Sequence, residues 1–382
     1  MGYTVLKEVK HMLQAELEDG RLVLLAAYRT ERIHELRKCR FFCPACKKAV
    51  IIRAGRKVIP HFAHEQIQDC ELTRTGESLY HMRGKLQLFR WLKRQGYTVK
   101  VEERIGKSER RPDLLLHTPG GRLLAIEYQC ASLSDEELYR RNEAYGCNGI
   151  LPIWILGGNR MKRTSTYMLD LSKRDQRFLM QYKRDMPLQL LYYCSDSEAF
   201  CNVQHILLTG KKRTVGQFYF RPLQQIHFPQ LFQALPKNVR QIDQAWTDFQ
   251  AKMAARPLTY ASAHLKRWVL QLYERGVSLQ SMPLHLLHPV ESQYHMSVPP
   301  YVWQTDLWLK QLDPLPIMKS VTLEQLKYVS RRWEALNKPF AIFADLHPVE
   351  SYMDRLCQHG WFERLGTDAY VKKRHSPFSG MT

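Results

Sequence analysis

The sequence predicts a mixed α/β (α+β) protein of several domains, and three observations carry that expectation. The first seventy or so residues read as short strands between dense turns. The next stretch alternates helical and strand periodicities, the order that packs helices against a sheet. Beyond about residue 228 helical periodicity dominates. A chain of 382 residues with 45% hydrophobic side chains can bury more than one core. The expected divisions are a small β-rich domain over 1–72, a mixed sheet with flanking helices over 73–227, and a helical domain over 228–382.

Taken in order, 22–28 reads as a strand, Phe41 to Cys46 as a knuckle, and 49–53 as a second strand. A helix over 78–95 ends at Gly96, where the missing Cβ permits the turn out of the helix. A strand over 97–101 follows, then a hairpin over 113–129 whose turn is Pro119-Gly120-Gly121. A charged helix over 135–145 leads to a buried strand over 149–156, with further strands at 188–193 and 218–221. The C-terminal helices are marked by Leu265, Trp268, Val269, Leu272 and Tyr273, with proline-rich joints at 282–289 and 298–301. Trp246, Trp268, Trp303, Trp308 and Trp333 at helical spacing are expected in a core. Lys372, Lys373 and Arg374 are expected in a disordered basic tail.

Lys and Arg total 57 against 37 Asp and Glu, a net charge of +20. Such a balance calls for a polyanionic partner, with nucleic acid first. The apolar runs fall far short of the ~20 residues that span a bilayer, and Met1 to Lys10 lacks the apolar core of a secretory signal. A cytoplasmic protein is expected. Four of the nine cysteines, Cys39, Cys43, Cys46 and Cys70, crowd into the first seventy residues. In a reducing compartment that favours metal ligation over disulfides.

The run FFCPACKKAVIIRAGRKVIPHFAH supplies Cys43, Cys46, His61 and His64. Two cysteines two residues apart on a tight knuckle can grip one ion, and His-x-x-His can close the tetrahedron zinc prefers. The histidine spacing is one shorter than the commonest finger pattern and Cys70 is in reach, so the fourth ligand is His61 or Cys70. A closed four-ligand zinc would be structural, stabilising a segment with little core of its own.

The hairpin RPDLLLHTPGGRLLAIEYQ holds the candidate catalytic acids. Glu127 and Gln129 share a strand face. A loop centred on Gly120 sets Asp113 opposite Glu127, whereas one centred between the glycines shifts the register by one. Carboxylates roughly 5 Å apart across a hairpin can share a hard cation, Mg²⁺ or Mn²⁺, which polarises a phosphodiester and activates a water. Many nucleases carry an Asp on one strand and Glu-x-Lys on the next; here Gln129 stands in the lysine place. Upstream, Glu77, His81 and Lys85 recur every four residues on one helical stripe. Glu77 can complete a metal sphere, and Lys85 can supply the positive charge that the amide of Gln129 lacks.

The ordered set CPAC, PHFAH, GESLYHMRGK, RPDLLL, AIEYQ and RRNEAYGCNGILPIWIL resembles the CoiA-like competence proteins, whose central domain is similar to the PD-(D/E)xK nucleases. The resemblance covers roughly 20–160. It implies a role in natural transformation, acting on internalised DNA during recombination, with a recombinase or other competence machinery as partner. Carried over, the nuclease motif falls on Asp113, Glu127 and Gln129, with Glu77 and His81 on the preceding helix. Arg141 and Tyr145 on the next helix are candidates for phosphate contact and stacking. Lys211, Lys212 and Arg213, at a hairpin tip, are candidates for gripping a phosphate backbone.

Three function classes follow. A metal-dependent deoxyribonuclease on single-stranded or branched recombination intermediates is the first. A DNA-binding accessory that keeps the nuclease fold as a scaffold is the second, suggested by Gln129. A restriction-type or defence endonuclease is the third, and no specificity module for it is visible.

Overall fold

The computed structural model describes residues 12–25, 28, 30–44, 46–55, 58–64, 70, 78–106, 110–182, 186–210, 212–255, 259, 263–277, 286–335 and 347–375. Glu77 and Lys211, both singled out above, lie outside the described residues. The chain divides into two compact units. One comprises Met1–Arg160, Tyr192–Phe200 and Arg221–Phe228, and the other Met161–Leu191, Cys201–Phe220 and Pro229–Thr382. The mixed α+β class expected from the periodicities is the class observed.

The first unit opens with a five-stranded sheet in the order β2-β1-β3-β4-β5. Its strands are β1 (Gln14–Glu16), β2 (Leu22–Leu24), β3 (Phe41–Phe42), β4 (Ala49–Gly55) and β5 (Val58–His64). The strand expected over 22–28 stops at Leu24, and helix α1 (Thr30–Leu36) follows, which the strand reading had passed over. Met12, Val23, Ile33, Phe41, Val50 and Phe62 fill a small core together with Cys43 and Cys70.

Helix α2 (Leu79–Arg94) begins where Ser78 accepts a hydrogen bond from the His81 backbone N–H, satisfying one orphan donor of the first turn. It packs on a sheet made by β6 (Thr98–Val101), β7 (Leu114–His117), β8 (Leu123–Gln129) and β9 (Leu151–Gly157). β6, β7 and β8 run antiparallel. β9 runs parallel to β8, as it must once helix α3 (Asp135–Cys147) carries the chain back across the sheet. The β7–β8 register pairs Leu114 with Ile126 and His117 with Leu123, which is the alternative centred on Gly120. Gly121 takes φ 76°, a left-handed conformation the turn requires.

The second unit holds β10 (Arg163–Ser165), β11 (Met168–Asp170), the single-turn helix α4 (Lys173–Gln176) and most of β13 (Ala199–Leu208) and β14 (Arg213–Pro222), while β12 (Gln189–Cys194) passes from the second unit to the first after Leu191. β11 pairs with both β10 and β14, and β13 is the other neighbour of β14. β13 escaped the sequence reading because its buried polar residues Asn202, Gln204 and His205 interrupt the apolar run. Gln204 is satisfied at both ends of its amide, donating to the Gln233 carbonyl at 2.8 Å and accepting from the Leu235 N–H at 2.9 Å.

Helices α5 (Val239–Ala254), α6 (Ala263–Tyr273), α7 (Pro300–Leu307), α8 (Leu323–Ser330) and α9 (Pro348–Gln358) complete the second unit. Trp268, Trp303 and Trp308 are fully buried among them, the core role expected of tryptophans at helical spacing. The region is not purely helical. β15 (Ser320–Thr322), β16 (Phe362–Leu365) and β17 (Ala369–Lys372) form an antiparallel sheet with β17 in the middle. The disordered tail expected at Lys372 is therefore corrected: Lys372 is 3% exposed. Its Nζ donates to the carbonyls of Leu312, Asp313 and Leu315 at 2.8–2.9 Å. Three oriented carbonyls replace the water a lysine loses on burial.

Candidate functional site

Two constellations of the first unit carry chemistry. In the N-terminal sheet the Cys43 N–H donates to the Lys48 carbonyl at 2.8 Å, and Lys47 takes φ 58°. The chain thereby folds back tightly enough to bring Cys43 and Cys46 together. Ligand atoms of Cys43, Cys46, His64 and Cys70 all lie within 4.8 Å of one another. Cys43 Sγ and Cys70 Sγ are 3.8 Å apart, and Cys46 Sγ and His64 Nε2 are 3.2 Å apart. A tetrahedral zinc with bonds of about 2.3 Å to sulfur has sulfur–sulfur edges of about 3.8 Å, so the donor set fits that ion. Burial and the charge of Lys48 lower the pKa of His64, which favours the neutral, ligating imidazole.

His61 is outside this group. β5 pairs regularly with β4 from Arg53↔His61 to Val50↔His64, so residues three apart face opposite sides of the strand and cannot both reach one ion. His61 is 2% exposed in the sheet. Cys70, and not His61, is the fourth donor of the cluster.

The second constellation is built where α2 crosses β8. Gly84 lets the helix approach: a Cβ there would stand 2.2 Å from the Tyr128 ring. His81 and Lys85, which flank Gly84 in the sequence, both reach Asp113 from the same helix. Lys85, wholly buried, places Nζ 3.5 Å from Asp113 Oδ1 and also donates to Glu102 Oε1. His81 Nε2 is 3.2 Å from Asp113 Oδ2, and its ring lies parallel to that of Tyr128 with centroids 5.5 Å apart. The Tyr128 backbone N–H donates to the same Asp113 oxygen at 2.8 Å.

Glu127, one residue beyond the Leu114↔Ile126 pair, is 1% exposed. Arg141 Nη1 donates to its Oε2 at 2.9 Å and the Tyr145 hydroxyl donates to its Oε1. Arg141 Nε also donates to Glu137, and Arg110 grips Glu137 with both Nη atoms. Tyr145 is buried against Glu127, so stacking on a base, raised above for this residue, is closed to it. Gln129 is half-buried at the end of β8, and its Nε2 donates to the Ala131 carbonyl at 2.8 Å. In the second unit Lys212 and Arg213 stand where the turn after β13 enters β14, and both pair with Asp170.

The electrostatics separate the two acids. Burial pushes the Asp113 carboxyl up, but the charges of His81 and Lys85 and the hydrogen bonds from His81 and Tyr128 outweigh it. They hold Asp113 well below the usual carboxylate range. Burial also pushes Glu127 up; Arg141 opposes this and the charge of Asp113 reinforces it, and the carboxyl settles at about 7. A buried and a half-buried carboxylate that repel one another have the chemistry of a hard-cation site, and Asp113 and Glu127 are the residues that would hold Mg²⁺ or Mn²⁺. In the arrangement described, Lys85 and Arg141 supply the compensating charge.

Glu102, Glu137 and Arg110 were missed from sequence. Glu102 has φ 48°, a left-handed conformation uncommon outside glycine, held where its carboxylate meets Lys85. Its signal was position: an acid just after the strand that pairs with β7.

No helix among the described residues is long and apolar enough to cross a membrane, and no solved structure matches the chain. The nuclease-like domain of competence protein CoiA matches residues 77–236. The N-terminal domain of that family matches 25–73 and its C-terminal domain 242–381. Competence protein CoiA of Bacillus subtilis (strain 168) is 30% identical over 355 residues, spanning 91% of this chain and 93% of that protein. With all three domain types in order and that identity along nearly the whole length, the chain belongs to the CoiA family of competence proteins.

Proposed function

We propose that this protein cleaves DNA phosphodiesters in a divalent-metal-dependent reaction on single-stranded or branched DNA, in the cytoplasm, during natural transformation. The observation that carries this is the buried Lys85 beside Asp113 and one helical turn from His81. An Asp, a Glu and a Lys converge although the strand position two residues after Glu127 holds Gln129. A lysine with no exposure to water is costly unless its charge is used, and next to a scissile phosphate it would offset the charge that develops on oxygen. Mg²⁺ or Mn²⁺ would polarise the phosphate and activate water. Asp113 and Glu127 would hold it, His81 would orient Asp113, and Gln129 would position water by hydrogen bonds. Zinc on Cys43, Cys46, His64 and Cys70 would hold the N-terminal sheet together. A recombinase or another part of the competence machinery is the expected protein partner.

One observation favours the second reading, a DNA-binding accessory without hydrolysis: Arg141 and Tyr145 occupy both oxygens of Glu127. The deciding experiment compares the wild type with Lys85→Met and Glu127→Gln on labelled single-stranded, duplex and branched DNA, with Mg²⁺ or Mn²⁺ and with EDTA. Metal-dependent cleavage lost in both variants is expected. Binding without cleavage under every condition would establish the accessory role.

A further inference from the structure

The second unit carries an aromatic and cationic surface that none of the chemistry above uses. Phe218 and Phe220 on β14 share a strand face, with ring centroids 6.4 Å apart and planes within 11° of parallel. Phe220 is 50% exposed. Arg163, on the β10–β11 hairpin, lies across both rings, its guanidinium carbon 4.9 Å from the Phe218 centroid and 5.6 Å from that of Phe220. Its Nε donates to the Ser165 carbonyl and its Nη2 to the Thr166 carbonyl. Backbone dipoles thus fix the guanidinium plane, whereas a carboxylate would have cancelled its charge. Lys162, Thr164, Ser165 and Thr166 beside it are exposed. The one acid of β11, Asp170, is engaged by Lys212 and Arg213.

The two rings stand at the open end of β14: Thr214 and Gly216, earlier on the same face, are buried, whereas Phe218 is half-buried and Phe220 exposed. The other face of β14 is already used: Val215 packs with Ile242 and Trp246 of α5, and the Tyr219 hydroxyl donates to the Pro236 carbonyl. Two parallel π faces held by a cation, on a chain of net charge +20, match the chemistry of bases carried on a phosphate backbone.

We propose that Phe218, Phe220 and Arg163 form a stacking platform for single-stranded nucleic acid. The rings receive unpaired bases face on, with little regard to sequence because every base has a π face. Arg163 holds the rings parallel and attracts the backbone. Paired bases keep their faces inside the duplex, so the platform discriminates single strands from duplex. The inference goes beyond the cleavage reading and does not rest on it, since binding needs neither Asp113 nor a metal.

The test is fluorescence anisotropy of the full-length protein in EDTA, with a labelled oligothymidylate of about 20 nucleotides and a labelled duplex of the same length. Phe220→Leu and Phe218→Leu keep an apolar side chain and every charge. Each is expected to weaken single-strand binding at least about fivefold, leaving duplex affinity and the salt dependence unchanged. Arg163→Lys, which keeps the charge but loses the planar contact, is expected to weaken the single strand as well. Equal thermal melting of the variants and the wild type establishes that the fold is intact. Single-strand affinity unchanged in both phenylalanine variants, as a surface for a protein partner would give, overturns the proposal. So does an equal loss on duplex.

Discussion

Replacing Gly84 by Ala tests whether the approach of α2 to β8 sets the geometry of the site. The added Cβ would stand 2.2, 2.6 and 2.8 Å from Cε1, Cζ and the hydroxyl oxygen of Tyr128. Carbon atoms in contact sit about 3.5–4 Å apart, so helix and ring must part by roughly 1.3 Å. The ring cannot easily yield, because its hydroxyl donates to the Tyr193 carbonyl at 3.0 Å and His81 lies against its face. The helix must therefore lift, carrying Lys85 away from an Asp113 oxygen that is already 3.5 Å distant. Overpacking of this kind costs about 1–3 kcal/mol. Alanine's preference for the helix returns about 1 kcal/mol. The net loss of stability is then at most about 2 kcal/mol, a drop of several degrees in melting temperature. Cleavage should fall far more, about 100-fold, because a displacement of about 1 Å in a catalytic constellation has that cost. Differential scanning calorimetry and single-turnover cleavage measure the two effects. Tyr128→Leu in the same chain makes room for the Cβ and should recover part of the activity. Wild-type cleavage and melting in Gly84→Ala would refute the close-approach argument.

Lys85→Met conserves length and removes the charge; cleavage should drop at least about 100-fold while oligonucleotide affinity is kept, and retained cleavage would remove Lys85 from the chemistry. The Glu127 carboxyl is raised from 4.5 to about 7, so the folded state favours its neutral form. Its contribution to stability is full below about pH 4.5 and is lost as pH rises through about 7, which lowers the wild-type melting temperature across that window. The Glu127→Gln variant should be flatter there, and an equal slope in both proteins would show that Glu127 does not titrate. For the metal, Cys70→Ser should abolish zinc in atomic absorption of the purified protein, while His61→Ala should keep one equivalent. The reverse pattern would return His61 to the site.

What the sequence made legible here is what a short stretch of chain determines. Pro119-Gly120-Gly121 fixes a turn and narrows the β7–β8 register to two, and the pairing of Leu114 with Ile126 selects the one that sets Asp113 beside Glu127. Likewise the four-residue spacing put His81 and Lys85 on one helical stripe, and the packing of α2 on the sheet turns that stripe toward Asp113. The choice between His61 and Cys70 was open because it depends on which side of β5 faces the knuckle, and only the pairing with β4 decides that. Glu102, Glu137 and Arg110 were invisible for a stronger reason. Glu102 meets Lys85, and Arg110 meets Glu137, from different elements, and the i,i+4 pair of Glu137 with Arg141 is what any solvated helix face carries. The same holds for Lys372, which reads as tail until the carbonyls of Leu312, Asp313 and Leu315 are brought to it.

The order β15-β17-β16 has a consequence for synthesis on the ribosome. The central strand is the last of the three to be translated, so β15 and β16 emerge as two edges with nothing between them. Neither can satisfy its inward-facing backbone groups until residues 369–372 leave the exit tunnel. This sheet can therefore close only once β17 is available, and Lys372 reaches its three carbonyls with that strand. The window before that step is when the region is most exposed to aggregation and to proteases.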